Sequence, residues 1–322
     1  MSQESRVKSQ ESRKTPIVFF GNERIATGVT TEAPTLRALI KAGFDVKAVV
    51  SNFERGVSRN TRDLEIMATA RQYNIPVLLP DKPSDIIDQL KSFRAEIAVL
   101  VAYGRIVPQS VIDIFPKGII NIHPSLLPAH RGPIPLESVI LSGENKTGVS
   151  VMQLVRAMDA GPVYEQRELA LNGSETKQDL ANKLLNIGSS MVIELLPKIL
   201  NGNITAVAQD DTRATYDQLI KKEDGRLNWN KSAEQLEREI RAYIEWPKSY
   251  TTFGDIEVII TQAHAVPSNF SEVVGEVEIQ DDETKLLMVN CKNGYLCIDK
   301  LKPAGKKEMS VREFLAGYKD RI

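Results

Sequence analysis

The chain predicts an α/β domain with an open, mainly parallel, Rossmann-like sheet, followed by a small β-barrel of the oligonucleotide-binding (OB-like) type. Two features of the pattern carry that reading. From Pro16 onward, short apolar runs alternate with helical stretches, the spacing of βαβ units. After residue 209 the helical stretches thin out, and β-forming runs follow one another with Gly, Asn and Asp between them, as hairpin turns require. The 322 residues are enough for two domains, each with its own core.

In order along the chain, the first fourteen residues are polar and repeat SQESR at Ser2–Arg6 and Ser9–Arg13. They lack the apolar stretch of a secretory signal and read as a disordered tail. Strands follow at Ile17–Phe20, Val46–Val50, Pro76–Leu79, Ile97–Val101 and Ile119–Ile122, each an apolar run bounded by Gly, Pro or polar residues. Runs of that kind are buried on both faces. Helices are expected between them around Pro34–Ala42, Asp63–Tyr73 and Ser84–Phe93. Two more strands, Thr147–Leu154 and Val163–Leu169, lead to a long helix opened by Ser174 and closed before Gly202. In the second part, helices are expected at Thr215–Lys221 and Ala233–Ala242. Strands then follow at Tyr250–Phe253, Ile256–Ala263, Val274–Ile279, Leu286–Val289 and Tyr295–Leu301, and a last helix at Val311–Tyr318. The expected division is a tail (1–14), a first domain (15–205), a linker (206–212) and a second domain (213–322).

Composition narrows the function classes. The chain carries 41 Lys+Arg against 42 Asp+Glu, three His and two Cys. Two cysteines, Cys291 and Cys297, make no disulfide scaffold, and with three histidines they argue against a structural zinc site. No run approaches the ~18 apolar residues that a membrane-spanning helix needs. Residues 1–209 hold 24 Lys+Arg and 21 Asp+Glu, while residues 210–322 hold 17 and 21. A nucleic-acid partner is therefore served only by local patches, not by a basic domain. A dinucleotide site is not expected either, because FFGNERIATG after the first strand lacks G-x-G-x-x-G.

In an open parallel sheet, sites form at the carboxyl ends of strands. The strand ending at Ile122 runs into Asn121-Ile122-His123-Pro124-Ser125-Leu126-Leu127-Pro128. Asn121 and His123 are two apart, so on extended backbone they share a face. Downstream, Met158-Asp159-Ala160-Gly161-Pro162 puts a carboxylate in a second tight turn. His, Asn and Asp in one cleft suit acyl transfer. An imidazole titrates near neutrality and can donate to an oxyanion, an amide adds an uncharged donor, and a carboxylate collects the proton of an attacking amine. On the residues alone two readings stand, this one and a loop histidine beside a turn-forming aspartate.

The segment NIHPSLLPAHRG, preceded by VAYGRIVP and followed by MDAGPVY, resembles the folate-dependent formyltransferases, and the resemblance runs over most of the chain from Ile17. Further on, RLNW (Arg226–Trp229), Trp246-Pro247 and KPAGKKEMS (Lys302–Ser310) resemble the C-terminal domain of those members of the family that act on methionyl-tRNA. The resemblance implies Asn121, His123 and Asp159 as catalytic residues. It implies Ser125, Leu126, Leu127 and Pro128 as the folate-binding loop. It also implies 10-formyltetrahydrofolate as formyl donor, with no metal, and the initiator methionyl-tRNA as acceptor. A cytoplasmic monomer, without a membrane partner, is expected on the same ground. Related reactions with the same residues are N-formylation of an amino sugar nucleotide and hydrolysis of the formylated folate.

One stretch departs from the family. FERGVSRNTR (Phe53–Arg62) is shorter than the corresponding loop of the tRNA-directed enzymes and lacks its Pro-Asp-Arg-Pro beginning, but it keeps Arg55, Arg59 and Arg62 close together. Those arginines suit phosphate contact, as do Lys306 and Lys307, though a solvated basic loop has the same composition. If they touch the acceptor, changing all three arginines to Ala raises the KM for charged tRNA and leaves folate binding alone. Steady-state kinetics with an unchanged KM for tRNA would refute that role. His130 is expected at the rim of the loop, His264 in a structural position, and the two cysteines as buried strand residues.

Overall fold

A computed structural model describes residues 15–52, 64–268, 273–280 and 285–322. The tail (1–14) and Arg55, Arg59 and Arg62 lie outside the described residues. The chain divides into two compact units, one of Met1–Pro135, Lys146–Leu171 and Gln178–Asp217, the other of Leu136–Asn145, Asn172–Lys177 and Gln218–Ile322.

The first unit is built on seven strands: Pro16–Gly21 (β1), Asp45–Val50 (β2), Val77–Leu78 (β3), Ile97–Val101 (β4), Ile119–His123 (β5), Lys146–Gln153 (β6) and Val163–Ala170 (β7). Their order is β3-β2-β1-β4-β5-β6-β7. β1 to β5 pair in parallel, and β6 and β7 add an antiparallel edge. Every residue of β4 and β5 is buried, which is why β4 is an unbroken apolar run and β5 departs from one only at Asn121 and His123, whereas β7 alternates half-buried and exposed positions as an edge strand does. The order runs outward from β1 in one direction and from β4 in the other, so the topological switch point lies between them. Ligands bind at such a point, outside the carboxyl ends of the strands, and β5 ends next to it.

Helices Pro34–Lys41 (α1), Glu65–Gln72 (α2), Ile87–Ser92 (α3) and Gln109–Ile112 (α4) belong to this unit, while Pro135–Ser142 (α5) falls from Leu136 on in the second, and Lys177–Leu200 (α6) belongs to the first from Gln178 on. On one face of the sheet Val18, Phe20, Ala98, Leu100 and Ile119 pack with Tyr103, Val111 and Phe115, and the Phe20 ring meets Tyr103 and Phe115 edge-on. α6 comes close to β5 because Gly188 has no side chain; a Cβ there would press on Ile122 Cγ2 at 2.5 Å. That approach fixes the strand that carries Asn121 and His123.

Glu23, in the loop after β1, is fully buried, and its carboxylate accepts the N–H groups of Thr35 at 2.8 Å and Leu36 at 2.9 Å, in the first turn of α1. Burial pushes its carboxyl from the ordinary 4.5 up to about 7, against the pull of those backbone bonds. A raised carboxyl binds its proton more tightly in the folded chain. Stability therefore falls as pH rises from 4.5 through about 7 and levels off above. Glu23→Gln removes the titration while keeping an acceptor for α1, so its urea midpoint changes less across that window than the parent's. Equal slopes for the two proteins would contradict this account.

The second unit holds Ala233–Tyr243 (α7), the strands Ser249–Phe253 (β8), Ile256–Val266 (β9), Val277–Gln280 (β10), Leu286–Cys291 (β11), Gly294–Pro303 (β12) and Met309–Ser310 (β13), and Val311–Tyr318 (α8). All strand pairs are antiparallel, in the order β10-β11-β12-β9-β8 with β13 on β12. Leu236 and Ile240 of α7 and Phe314 of α8 pack onto Val258, Ile260, Leu296 and Ile298. α8 starts at Ser310, whose hydroxyl accepts the Glu313 N–H while Glu313 reaches back to the Ser310 N–H. Cys291 and Cys297 are buried free thiols, and burial pushes Cys291 up to about 11. Such thiols are inert at neutral pH. The fold class expected from the sequence, a mainly parallel α/β sheet followed by a small antiparallel β domain, is the one observed.

Three of the expected elements differ, and helices α4 and α5 and strand β13 add to those expected. Ser84–Phe93 is a 3₁₀ turn (Pro83–Ile86) followed by α3. The strand expected from Val274 begins at Val277, because the chain turns at Val274–Gly275 and the Gly275 N–H bonds the Asn290 carbonyl at 2.9 Å. Most consequential, Thr215–Lys221 is not a helix. Its backbone bonds go to another segment: the Thr215 N–H donates to Pro128 O, the Arg131 N–H to Thr215 O and the Asp217 N–H to Arg131 O. The segment is a strap laid along the loop after β5.

Candidate active site

β5 delivers Asn121 and His123 to the carboxyl end of the sheet, both nearly buried, at 7% and 4% exposed. The His123 imidazole is held on two sides. Its Nε2 lies 2.8 Å from the carbonyl oxygen of His130, an acceptor, so Nε2 carries the proton of that bond. Its Nδ1 faces Asp159, with Oδ1 at 3.7 Å, a separation within ion-pair range but too long for a hydrogen bond. The structure thus brings His123 and Asp159 together across 35 intervening positions of sequence, with Asn121 two residues before the histidine on the same strand.

The Asp159 turn is built for this placement. Asp159 has φ +49°, the left-handed region, which short polar residues tolerate better than others. Gly161, two residues on, passes against β6, where a Cβ would run into the Gln153 carbonyl. Asp159 Oδ2 accepts the Gly132 N–H at 2.9 Å, and the Gln209 Nε2 donates to the carbonyls of Asp159 and Gly161, both at 2.7 Å. The carboxylate and its backbone are therefore fixed separately.

The loop after β5 is braced internally. Ser125 is fully buried, and its hydroxyl donates to Ala129 O at 2.7 Å. Ser150 on β6 accepts the Leu127 N–H at 3.0 Å and donates to Ser125 O at 2.6 Å, and Gln166 on β7 donates to Leu127 O at 2.8 Å. Leu127 is buried, and the Leu127–Pro128 peptide is cis. Of the four residues expected to bind folate, Leu126 and Pro128 keep half-exposed side chains, while those of Ser125 and Leu127 turn inward. Lys306 and Lys307 are exposed on the turn after β12, in the second unit, whereas Asn121, His123 and Asp159 belong to the first. His130, expected at the rim, donates its N–H to Thr215 Oγ1 at 2.8 Å and sets its Nδ1 3.1 Å from Asp217 Oδ1. His264 is paired with Asp299 on the sheet of the second unit.

Two bracing residues escape a reading of the sequence. Arg131 is 1% exposed and bonds Gln209, Asp211 and Tyr216, and Gln209 in turn bonds the Asp159 turn. An arginine between His130 and Gly132 in a proline-rich loop is the one local hint of burial. Gln209 sits 78 residues away in a stretch without periodicity, where no local signal exists. No group of three or more His, Cys, Asp or Glu among the described residues is arranged to hold a metal ion. No described helix is long and apolar enough to cross a membrane.

Residues 25–196 match the formyl transferase family and residues 219–319 the formyl transferase C-terminal domain. The chain is 32% identical over 310 residues to the methionyl-tRNA formyltransferase of Pseudoalteromonas translucida, covering 95% of each protein. It is 34% identical over 308 residues to the methionyl-tRNA formyltransferase of Sulfurihydrogenibium sp., covering 94% of this chain and 97% of the relative. Among solved structures, HypX from Aquifex aeolicus in complex with tetrahydrofolic acid shares the fold, with a TM-score of 0.62 and 16% identity over 95% of this chain, which spans about half (47%) of that protein. The chain belongs to the formyl transferase family, with the enzymes named methionyl-tRNA formyltransferase among its relatives.

Proposed function

We propose that this protein transfers the formyl group of 10-formyltetrahydrofolate directly to the free amino group of methionyl-tRNA, making the formylated initiator for translation. The observation that carries the reading is the pairing of Asp159 with His123 Nδ1, beside Asn121, at the carboxyl end of β5. The name borne by relatives along the whole chain supports methionyl-tRNA as the acceptor. The fold shared with a protein solved with tetrahydrofolic acid supports folate as the carrier.

The chemistry follows from the donors and acceptors present. Attack by the methionyl amine on the formyl carbon forms a C–N bond and puts negative charge on the formyl oxygen. The Asn121 amide and the Nδ1–H of a protonated His123 supply donors for that charge in a buried setting, where such donors are worth most. The Asp159 carboxylate stabilises the imidazolium and takes the proton that the amine loses. Collapse breaks the bond between the formyl carbon and the folate nitrogen, which leaves with that proton. The amine is itself the nucleophile, so no serine or cysteine is required. The braced Ser125–Pro128 loop, with Leu126 half-exposed, offers a rigid apolar edge to the folate ring. Lys306 and Lys307, exposed on their turn, suit contact with the phosphates of the tRNA.

The test follows the formyl group from 10-formyltetrahydrofolate in three reactions, offering methionyl-tRNA, an amino sugar nucleotide, or water alone. The expected result is a kcat/KM for methionyl-tRNA at least ~10³-fold above the other two, the discrimination a site built for its acceptor reaches. Preferential transfer to the sugar, or release as formate at the same rate without an acceptor, would replace this reading with one of its neighbours.

A further inference from the structure

Arg131 is an arginine with almost no access to solvent, at 1% exposed. Burying a cation costs several kcal/mol unless its donors are satisfied, and here the guanidinium makes four hydrogen bonds. Nε and Nη2 donate to Gln209 Oε1 at 3.1 and 2.8 Å, Nη2 to Asp211 Oδ1 at 2.6 Å, and Nη1 to the Tyr216 hydroxyl at 2.8 Å. These partners come from residues 209–216, the stretch that leads into the strap, and the Arg131 and Tyr216 backbones pair there as in a parallel sheet.

The neighbours of Arg131 hold the reacting groups. On one side the His130 carbonyl takes the His123 Nε2 at 2.8 Å, and on the other the Gly132 N–H donates to Asp159 Oδ2 at 2.9 Å. The second hold on Asp159 passes through Gln209. Arginine is only a donor, so the oxygen of the Gln209 amide faces it and the nitrogen is turned to the carbonyls of Asp159 and Gly161. Left-handed backbone at a residue other than glycine costs of order 1–3 kcal/mol and persists where its surroundings fix it. For Asp159 the surroundings are these bonds.

We infer that Arg131 and Gln209 act as one unit, as positioning residues that set the Asp159 carboxylate against His123, an inference that rests on the role of Asp159 proposed above. Neither touches substrate in this account: Arg131 is buried, and both amide groups of Gln209 are committed to the protein.

Gln209→Glu separates positioning from general support. The new carboxylate keeps, and charges, the bond to Arg131, but it has no N–H for the carbonyls of Asp159 and Gly161. The expected result is unchanged thermal stability, KM for both substrates within about a factor of two, and kcat reduced between about 10- and 100-fold, the cost of a misplacement near 1 Å. Gln209→Met, of similar length with neither polar atom, loses kcat at least as much and serves if the glutamate variant fails to fold. Because Gln209 acts through Asp159, adding Gln209→Glu to Asp159→Asn lowers kcat no further than Asp159→Asn alone. The inference is overturned if Gln209→Glu and Gln209→Met both keep the parent kcat, or if the loss recurs in full on top of Asp159→Asn. If Asp159→Asn itself keeps the parent kcat, the role of Asp159 fails, and this inference with it.

Discussion

Asp159→Asn lowers kcat for formyl transfer by at least ~10²-fold, within the range for a group that moves a proton in the transition state. Asparagine has the shape of aspartate and still offers an oxygen to the Gly132 N–H, now 2.9 Å from Oδ2, so the turn keeps its place. What disappears is the negative charge 3.7 Å from His123 Nδ1 and the base that collects the amine proton. Each factor of ten corresponds to ~1.4 kcal/mol of transition-state stabilisation, so a loss of this size is ~2.7 kcal/mol or more. His123→Ala falls at least as far, because it removes the cationic donor to the oxyanion. The measurement is steady-state kinetics with both substrates, alongside circular dichroism to confirm the fold. Parent-like kcat in either variant contradicts the assignment.

The second large effect is on stability. Lys177 and Glu137, both in the second unit, form an ion pair with side chains 0% and 1% exposed and Nζ 3.4 Å from Oε1. Burial pulls the lysine below its ordinary range, and the nearby Glu137 carboxylate opposes that shift. Lys177→Met nearly preserves the volume but strands a buried carboxylate without its cation, which costs about 3–5 kcal/mol. The double change Lys177→Met with Glu137→Leu recovers most of that loss, since an apolar pair of like volume is commonly as stable as a buried ion pair. Urea unfolding followed by circular dichroism measures both. A single variant within about 1 kcal/mol of the parent, the scale of an exposed pair, would contradict the reading of Lys177 and Glu137 as a buried pair.

The positions of these groups were legible in the sequence to different degrees, for physical reasons. Strand β4 announces itself because burial on both faces demands an unbroken apolar run, β5 does so through its three isoleucines, and Asn121 and His123 fall on one side of β5 through the period of two alone. The partnership of His123 with Asp159 was suggested by chemistry, since only packing brings the second turn alongside. The strap is where the local pattern misleads. Thr215–Lys221 has the residues of a short helix, yet the bonds it makes to Pro128 and Arg131 outweigh what so short a helix gains. Arg131 and Gln209 are hidden for the same reason, because their meaning lies in contacts that span 78 residues. The pair of Lys177 with Glu137 is likewise invisible in sequence, where both look like surface charges.

The central claim is direct transfer within the Asn121, His123 and Asp159 constellation, and a single-turnover experiment tests it most directly. The protein is mixed with 10-formyltetrahydrofolate labelled in the formyl group, and the mixture is divided before methionyl-tRNA is added to one half. The account predicts no label bound covalently to the protein in the first half, and one labelled formyl group on the methionyl amine for each tRNA converted in the second. Label fixed to the protein, or formate released equally in both halves, would contradict it.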